Sequence, residues 1–412
     1  MGIFILIASI LILVMIICQV KVNLSNPLSL LWGTWLISIL ICICNVFSVY
    51  PRLSTKSLFF IFSYLIITSL AFVIGHNLHF QPQITFYNGM RLLTAFNILL
   101  LIVIAAYGIT IIRLGLPPLF SGGVRSKYYL SGGGELLYLL IYPCFFLGLF
   151  MLYHRKAHYF HSYIIFQLLI LTLIIISRGN KMAIFSVFLM VCFFWGRKVN
   201  VPAILAVAFL VVIIFSVISI TYKRDVNDLN ALKIAKISLT GFTLPNRYYF
   251  LYDPLIYMSS NINNIYTLMS SHLSAIGMGS LSFKGVCQLL AIFNPSLAQL
   301  NSQSLLIANT SLTVPIFSTY SGLGELYFDF GPLIAIEIFM LIGFVNGILY
   351  NQRGLNLTST YFGFILFQTL ALSFFTFYLG NLEVITNLIV LFLVDMYARR
   401  SEGEQLGDAY YG

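Results

Sequence analysis

Long apolar stretches succeed one another along almost the whole chain, broken by short polar turns and by one long polar stretch, residues 222–315. An α-helix crosses a bilayer core on about 20 consecutive apolar residues. Runs of that kind lie near residues 2–20, 28–49, 57–76, 88–112, 135–153, 162–178, 180–196, 201–221, 329–350, 358–379 and 382–398. Nothing shows the short in-and-out alternation of a membrane β-barrel strand. A lipid-exposed backbone must satisfy its own hydrogen bonds, which leaves helices as the way across. The expected fold is an all-α polytopic membrane protein with about 11–12 transmembrane helices. Composition agrees: 60% of the 412 residues are hydrophobic and 8% are charged, against roughly 25% charged in soluble domains.

The chain divides into an N-terminal transmembrane bundle (1–221), the long segment (222–315), and C-terminal helices with a short tail (316–412). The first apolar run lacks a basic flank and a small-residue cleavage site, so it reads as a first span, not a removed signal. The net charge of +10 is spread over the loops. No Lys/Arg-rich run points to nucleic acid; the positive balance suits topology and anionic membrane lipid. Of Cys18, Cys42, Cys44, Cys144, Cys192 and Cys287, all but the last lie in apolar runs, and there is no CxxC. No disulfide, metal centre or cofactor is expected. Asp225 and Asp228, beside Lys223 and Arg224, read as a solvated charge cluster.

Positively charged loops tend to stay in the cytoplasm. That rule places Arg155-Lys156, Arg197-Lys198 and Arg399-Arg400 inside, and residues 113–134, the 177–181 turn and the long segment outside. Counting backwards puts Arg52 and Lys56 outside, against the rule; a twelfth span would bring both termini inside. Within the long segment, Val286, Leu289, Leu290, Phe293 and Leu297 recur on one helical face, expected on the membrane surface with Pro295 bending or ending the helix. Residues 229–239 also read as helix, with Lys233 and Lys236 available to anionic headgroups.

Several polar residues are candidates for chemistry. Arg125 lies in Pro117-Pro-Leu-Phe-Ser-Gly-Gly-Val-Arg-Ser-Lys127, where prolines stop a helix and glycines let backbone approach a ligand. Ser177-Arg178-Gly-Asn-Lys181 is a tight turn that brings Arg178 and Lys181 to the outer boundary, where the charge rule disfavours them. A lipid-linked phosphate or diphosphate there would account for them, since arginine reads phosphate oxygens in pairs; snorkelling to headgroups is the plainer reading. Arg247 and Tyr248 offer a guanidinium for oxyanions and a ring for sugar faces, or simply part of an interfacial aromatic belt. His272 is the one histidine of the long segment and a candidate base. Glu325 and Asp329 share a helix face, with Tyr320 and Tyr327 near them. Glu337 lies within an apolar run, where an ionisable group marks either function or helix pairing.

The order of these elements resembles the O-antigen (oligosaccharide repeat-unit) polymerase family, Wzy. The matching features are the Pro-Leu-Phe stretch before Arg125, the Ser177-Arg178 turn, the long outer segment, and Gly324-Glu-Leu-Tyr-Phe-Asp-Phe-Gly331 ahead of a helix bearing Gly343 and Gly347. The likeness covers most of the chain in layout and only short motifs in sequence. The long segment lacks the arginine-then-glycine spacing of some members, so its residues are read on their chemistry alone. The resemblance implies an inner-membrane, GT-C-like glycosyltransferase with a periplasmic site. It would move a growing glycan from undecaprenyl diphosphate onto the next undecaprenyl-diphosphate-linked oligosaccharide, without metal, in company with a Wzz-like chain-length regulator. Fixed cations would stabilise the leaving diphosphate, with Arg125, Arg178, Lys181 and Arg247 as candidates, Tyr248 and Tyr320 beside the sugars, and His272 or Glu325 as base.

Three other readings compete. A flippase or other transporter usually shows internal repeats and paired interrupted helices, and the sequence shows neither. An O-antigen ligase is a related transferase with a different acceptor. A non-catalytic scaffold would leave the outer arginines unexplained.

Overall fold

The computed structural model describes residues 23–78, 85–121, 139–154, 160–179, 181–196, 229–314 and 319–399. Among them there is no β-strand, only isolated bridges between Phe47 and Phe242 and between Tyr87 and Arg399. Beside a single helical turn at Pro118–Ser121, the helices are α1 (Pro27–Ile43), α2 (Thr55–Asn77), α3 (Gly89–Leu114), α4 (Ile141–Tyr153), α5 (His161–Ser177), α6 (Lys181–Trp195), α7 (Leu229–Thr240), α8 (Tyr252–Ser270), α9 (Lys284–Leu290), α10 (Ser296–Asn309), α11 (Gly322–Phe330), α12 (Pro332–Tyr350), α13 (Leu357–Ala371) and α14 (Leu382–Ala398).

Three of these, α2, α3 and α12, are long and apolar enough to cross a membrane; α1, α4, α5, α6 and α13 are apolar and shorter. The all-α membrane architecture expected from the runs is therefore present in outline. The runs at 2–20 and 201–221 lie outside the described residues. Local sequence sets the starts. Asn26 accepts the Leu28 N–H with Pro27 at the first position, Ser54 accepts from Ser57, and Asn88 accepts from Met90 and Arg91. Each cap satisfies a backbone donor that the helix itself leaves orphaned. One expectation is corrected: the run at 358–379 is not one helix, because α13 stops at Ala371.

The bundle is held by close helix contact and by aromatic side chains with paired polar ends. α12 lies along α2. A Cβ at Gly343 would fall 2.5 Å from the Thr68 carbonyl oxygen, and one at Gly347 would fall 2.2 Å from that of Phe72. Small residues one turn apart allow this approach. In the core, the Trp35 Nε1 and the Tyr64 hydroxyl both donate to Ser373 Oγ, at 2.9 and 2.8 Å. At one end of the bundle Arg353 donates to the carbonyls of Phe193 and Ser25, each at 2.7 Å. At the same end Asp395 accepts from Tyr87, Thr358 and Arg399, tying together α14, α13 and the start of α3.

The long segment is only partly superficial. α7 matches the helix expected from residue 229, but Lys236 is paired with Asp253 at 3.0 Å and Lys233 sits 5.0 Å from the Tyr249 ring centroid. Both cations have partners within the protein. α8 packs against α1 and α11, and its Ser259, Ser260, Asn261, Asn263 and Asn264 are buried. These polar groups enter because they find partners: Asn264 donates to the Thr319 carbonyl and Thr319 Oγ1 donates to Asn261, both at 2.7 Å. The surface helix expected across residues 286–297 is instead the hairpin α9–α10, with Pro295 at the start of α10 and Phe293 86% exposed at its tip.

Candidate functional site

Between α13 and α14 the chain runs without helix through Leu372–Phe377 and makes a 3-10 turn at Tyr378–Gly380. Irregular backbone in an apolar bundle is tolerable where protein buries it or a cavity receives it. Here α11 buries it. Ser321 caps α11 by accepting the Gly324 N–H at 3.0 Å, and this places Glu325 one turn in, facing the break. Glu325 Oε1 accepts the Thr376 hydroxyl at 2.9 Å and Oε2 accepts the Phe377 N–H at 3.0 Å. The Gly322 N–H donates to the Ser373 carbonyl at 2.7 Å. On the other side α9 presses on the first turn of α14, where a Cβ at Gly285 would lie 2.1 Å from the Leu382 nitrogen. Only glycine admits that contact.

Asp329, one turn after Glu325, has a different task. It accepts from Ser282 N at 2.7 Å, Ser282 Oγ at 2.5 Å and Leu281 N at 3.2 Å. The carboxylate thus folds the turn that leads into α9. Burial raises its pKa, and these donors oppose the shift.

A cavity of about 340 Å³ opens at this junction. That volume is in the range of small-ligand sites. Its polar lining includes Glu325, Glu383, Lys284, Asn301, Tyr320 and Tyr378, and Met182 of α6 closes another side. The Tyr378 hydroxyl donates to Glu383 Oε1. Lys284 lies near enough to favour the charged form of Glu325, while burial dominates and raises that pKa. Among the described residues Lys284 makes no direct ion pair. The site thus offers carboxylates that accept hydrogen bonds, an amide and phenols that can donate and accept them, and one ammonium for an anion.

Of the residues singled out from sequence, Glu325 and Tyr320 meet in this cavity. Lys181 opens α6, and Met182, the next residue, is in the described lining; Lys181 itself is not. Arg178 is 3% exposed, and so is not snorkelling to headgroups; Gly179 takes the left-handed backbone, φ 61°. Arg247 and Tyr248 are exposed on a 3-10 turn, the guanidinium 4.9 Å from the ring centroid, and His272 is exposed just past α8; none of the three is in the lining. Arg125 lies outside the described residues. Of the four cations named as candidates for a diphosphate, none is in the described lining, which sets Lys284 alone against Glu325 and Glu383. Sequence reading did not single out Glu383, Tyr378, Asn301 or Lys284 as site residues. A carboxylate at the opening of an apolar run was the available signal for Glu383.

No family model, no curated protein and no solved structure matches this chain.

Proposed function

We propose that this chain is a membrane glycosyltransferase that polymerises lipid-linked oligosaccharide repeat units, of the Wzy type, and that the cavity holds the reacting sugars. The observation that carries the reading is the convergence of Glu325, Glu383 and Lys284 on one cavity. Glycan transfer from a diphosphate carrier needs a proton acceptor for the incoming hydroxyl. It also needs fixed positive charge where the diphosphate departs. The carboxylates answer the first need, and Lys284 the second. The apolar spanning helices keep the site at a membrane face, where a polyprenyl chain remains in lipid while its sugars enter the cavity.

The positive-inside rule favours a cytoplasmic Arg353 and Arg399 end, and in that orientation the cavity would open on the periplasmic side of a bacterial inner membrane. The substrates are undecaprenyl-diphosphate-linked oligosaccharides, and a Wzz-like chain-length regulator is the expected protein partner.

Deletion of the gene, followed by electrophoresis of surface glycans, tests the reading. Single repeat units on the lipid anchor, in place of a ladder, are expected. Loss of all surface glycan with carrier-linked polymer accumulating outside would make the protein a ligase. Accumulation of carrier-linked units inside would make it a flippase. A normal ladder would remove it from this process.

A further inference from the structure

The cavity carboxylates differ in how they are held. Glu325 is committed on both oxygens, one to the Thr376 hydroxyl and the other to the Phe377 N–H. It is 8% exposed, and its partners belong to the irregular segment that forms the cavity wall. A proton on either Glu325 oxygen would weaken an acceptor that holds the wall in place. Glu383 stands in the first turn of α14 and is half-buried. Its Oε1 accepts from Tyr378, and its Oε2 has no hydrogen-bond partner among the described residues. The Tyr378 contact fixes the side chain while leaving one oxygen for a ligand. Lys284 is close enough to act on both carboxylates and pairs directly with neither. His272 is outside the lining altogether.

We infer that Glu383 is the base that takes the proton from the acceptor sugar hydroxyl, and that Glu325 is a positioning residue that holds the Thr376–Phe377 wall. This rests on the glycosyltransferase reading above. In the step, the acceptor hydroxyl oxygen forms a bond to the anomeric carbon of the carrier-linked donor. The bond from that carbon to the diphosphate oxygen breaks, and its electron pair leaves with the diphosphate. The hydroxyl proton passes to Glu383 Oε2. Lys284 faces the negative charge that develops on the leaving group.

The experiment uses the full chain in lipid nanodiscs with a synthetic polyprenyl-diphosphate-linked oligosaccharide, following elongation, substrate binding and thermal unfolding. Glu383→Gln keeps the shape and the Tyr378 contact and removes the base. Its kcat is expected to fall by about 10²–10⁴-fold, with binding within about threefold and unfolding close to wild type. Glu383→Asp keeps the carboxylate on a shorter stem and is expected to retain a small part of the kcat with KM little changed. Glu325→Gln is expected to lower the unfolding temperature and to raise KM more than it lowers kcat. Wild-type kcat in either Glu383 variant overturns the assignment of the base while leaving the polymerase reading intact. A wild-type protein that neither binds nor elongates the lipid-linked oligosaccharide overturns the reading on which it rests.

Discussion

The Glu325 carboxylate sits 3.0 Å from the Phe377 backbone nitrogen, across 52 residues of chain. That bond joins α11 to the segment between α13 and α14, where the helical ladder lapses and backbone donors need other acceptors. Glu325 is therefore part of the wall as well as part of the lining. Glu325→Ala leaves the Phe377 N–H and the Thr376 hydroxyl without their acceptor in a buried place. The expected cost is about 3 kcal/mol, read as a lower unfolding temperature in detergent or nanodiscs. A variant that melts with the wild type would show that the wall does not depend on this carboxylate.

The same residue gives stability a pH dependence. Burial raises the Glu325 pKa above its ordinary value of 4.5, with Lys284, Phe377 and Thr376 opposing. The folded protein then keeps this proton to higher pH than the unfolded chain does. Its contribution is fully present below 4.5 and is lost as pH rises through the folded value. Asp329 shifts in the same direction, so the comparison must isolate Glu325. Glu325→Gln does not titrate, and its unfolding temperature is expected to fall less steeply above pH 4.5 than that of wild type. Parallel profiles would contradict the burial argument.

The framework was legible in the sequence because length and apolarity are local properties. The runs opening at Pro27, Thr55, Gly89 and Pro332 carry their stop and start signals in adjacent residues. The break after Ala371 was not legible. Leu372, Phe374, Phe375 and Phe377 are as apolar as the helix they follow. What ends the helix is distant: Glu325 and Gly322 take the donors and acceptors of Phe377, Thr376 and Ser373. The burial of α8 was not legible either. Its Ser and Asn run is polar, and it is buried because Thr319 and α1 supply partners that no window of sequence contains. Glu325 and Tyr320 were found because they stand in a punctuated motif; Glu383 was hidden by the apolar run it opens.

Packing of α12 along α2 makes a sharp prediction. A Cβ at Gly347 would lie 2.2 Å from the Phe72 carbonyl oxygen and 2.7 Å from the His76 nitrogen. Both are backbone atoms, so no side-chain rotation relieves the clash. Gly347→Ala is expected to cost about 1–3 kcal/mol and to lower the unfolding temperature. By contrast Gly33 has nothing within 4 Å of an added Cβ, and Gly33→Ala is expected to be close to neutral. Equal effects of the two substitutions would rule out close backbone approach as the cause.

The Asp395 cluster predicts a loss of stability without a matching loss of chemistry. Its carboxylate is 0% exposed and accepts from Tyr87, Thr358 and Arg399, the last at 2.5 Å. Asp395→Ala leaves three donors without their acceptor, one of them charged. The expected cost is about 3 kcal/mol. Because the cluster is at the opposite end of α14 from Glu383, the surviving folded protein is expected to retain KM for the lipid-linked substrate. Yield and unfolding temperature should fall together while KM holds; a raised KM would mean that this end of α14 also shapes the cavity.

Lys284 and Arg178 separate charge from geometry. Lys284 lines the cavity without a direct ion pair among the described residues, so its ammonium is offered to an anion. Lys284→Met keeps much of the stem and removes the charge. It is expected to weaken binding of the diphosphate-linked substrate by about 10–100-fold, with a shallower dependence on salt. Arg178 is buried in the turn before α6, and its planar fork holds oxygens in pairs as a lysine does not. Arg178→Lys therefore tests the fork while keeping the charge. Short glycan chains from a stable, abundant Arg178→Lys protein are the expected result. Full-length ladders from that variant would restrict Arg178 to holding the turn, and would leave Lys284 as the described cation facing the diphosphate.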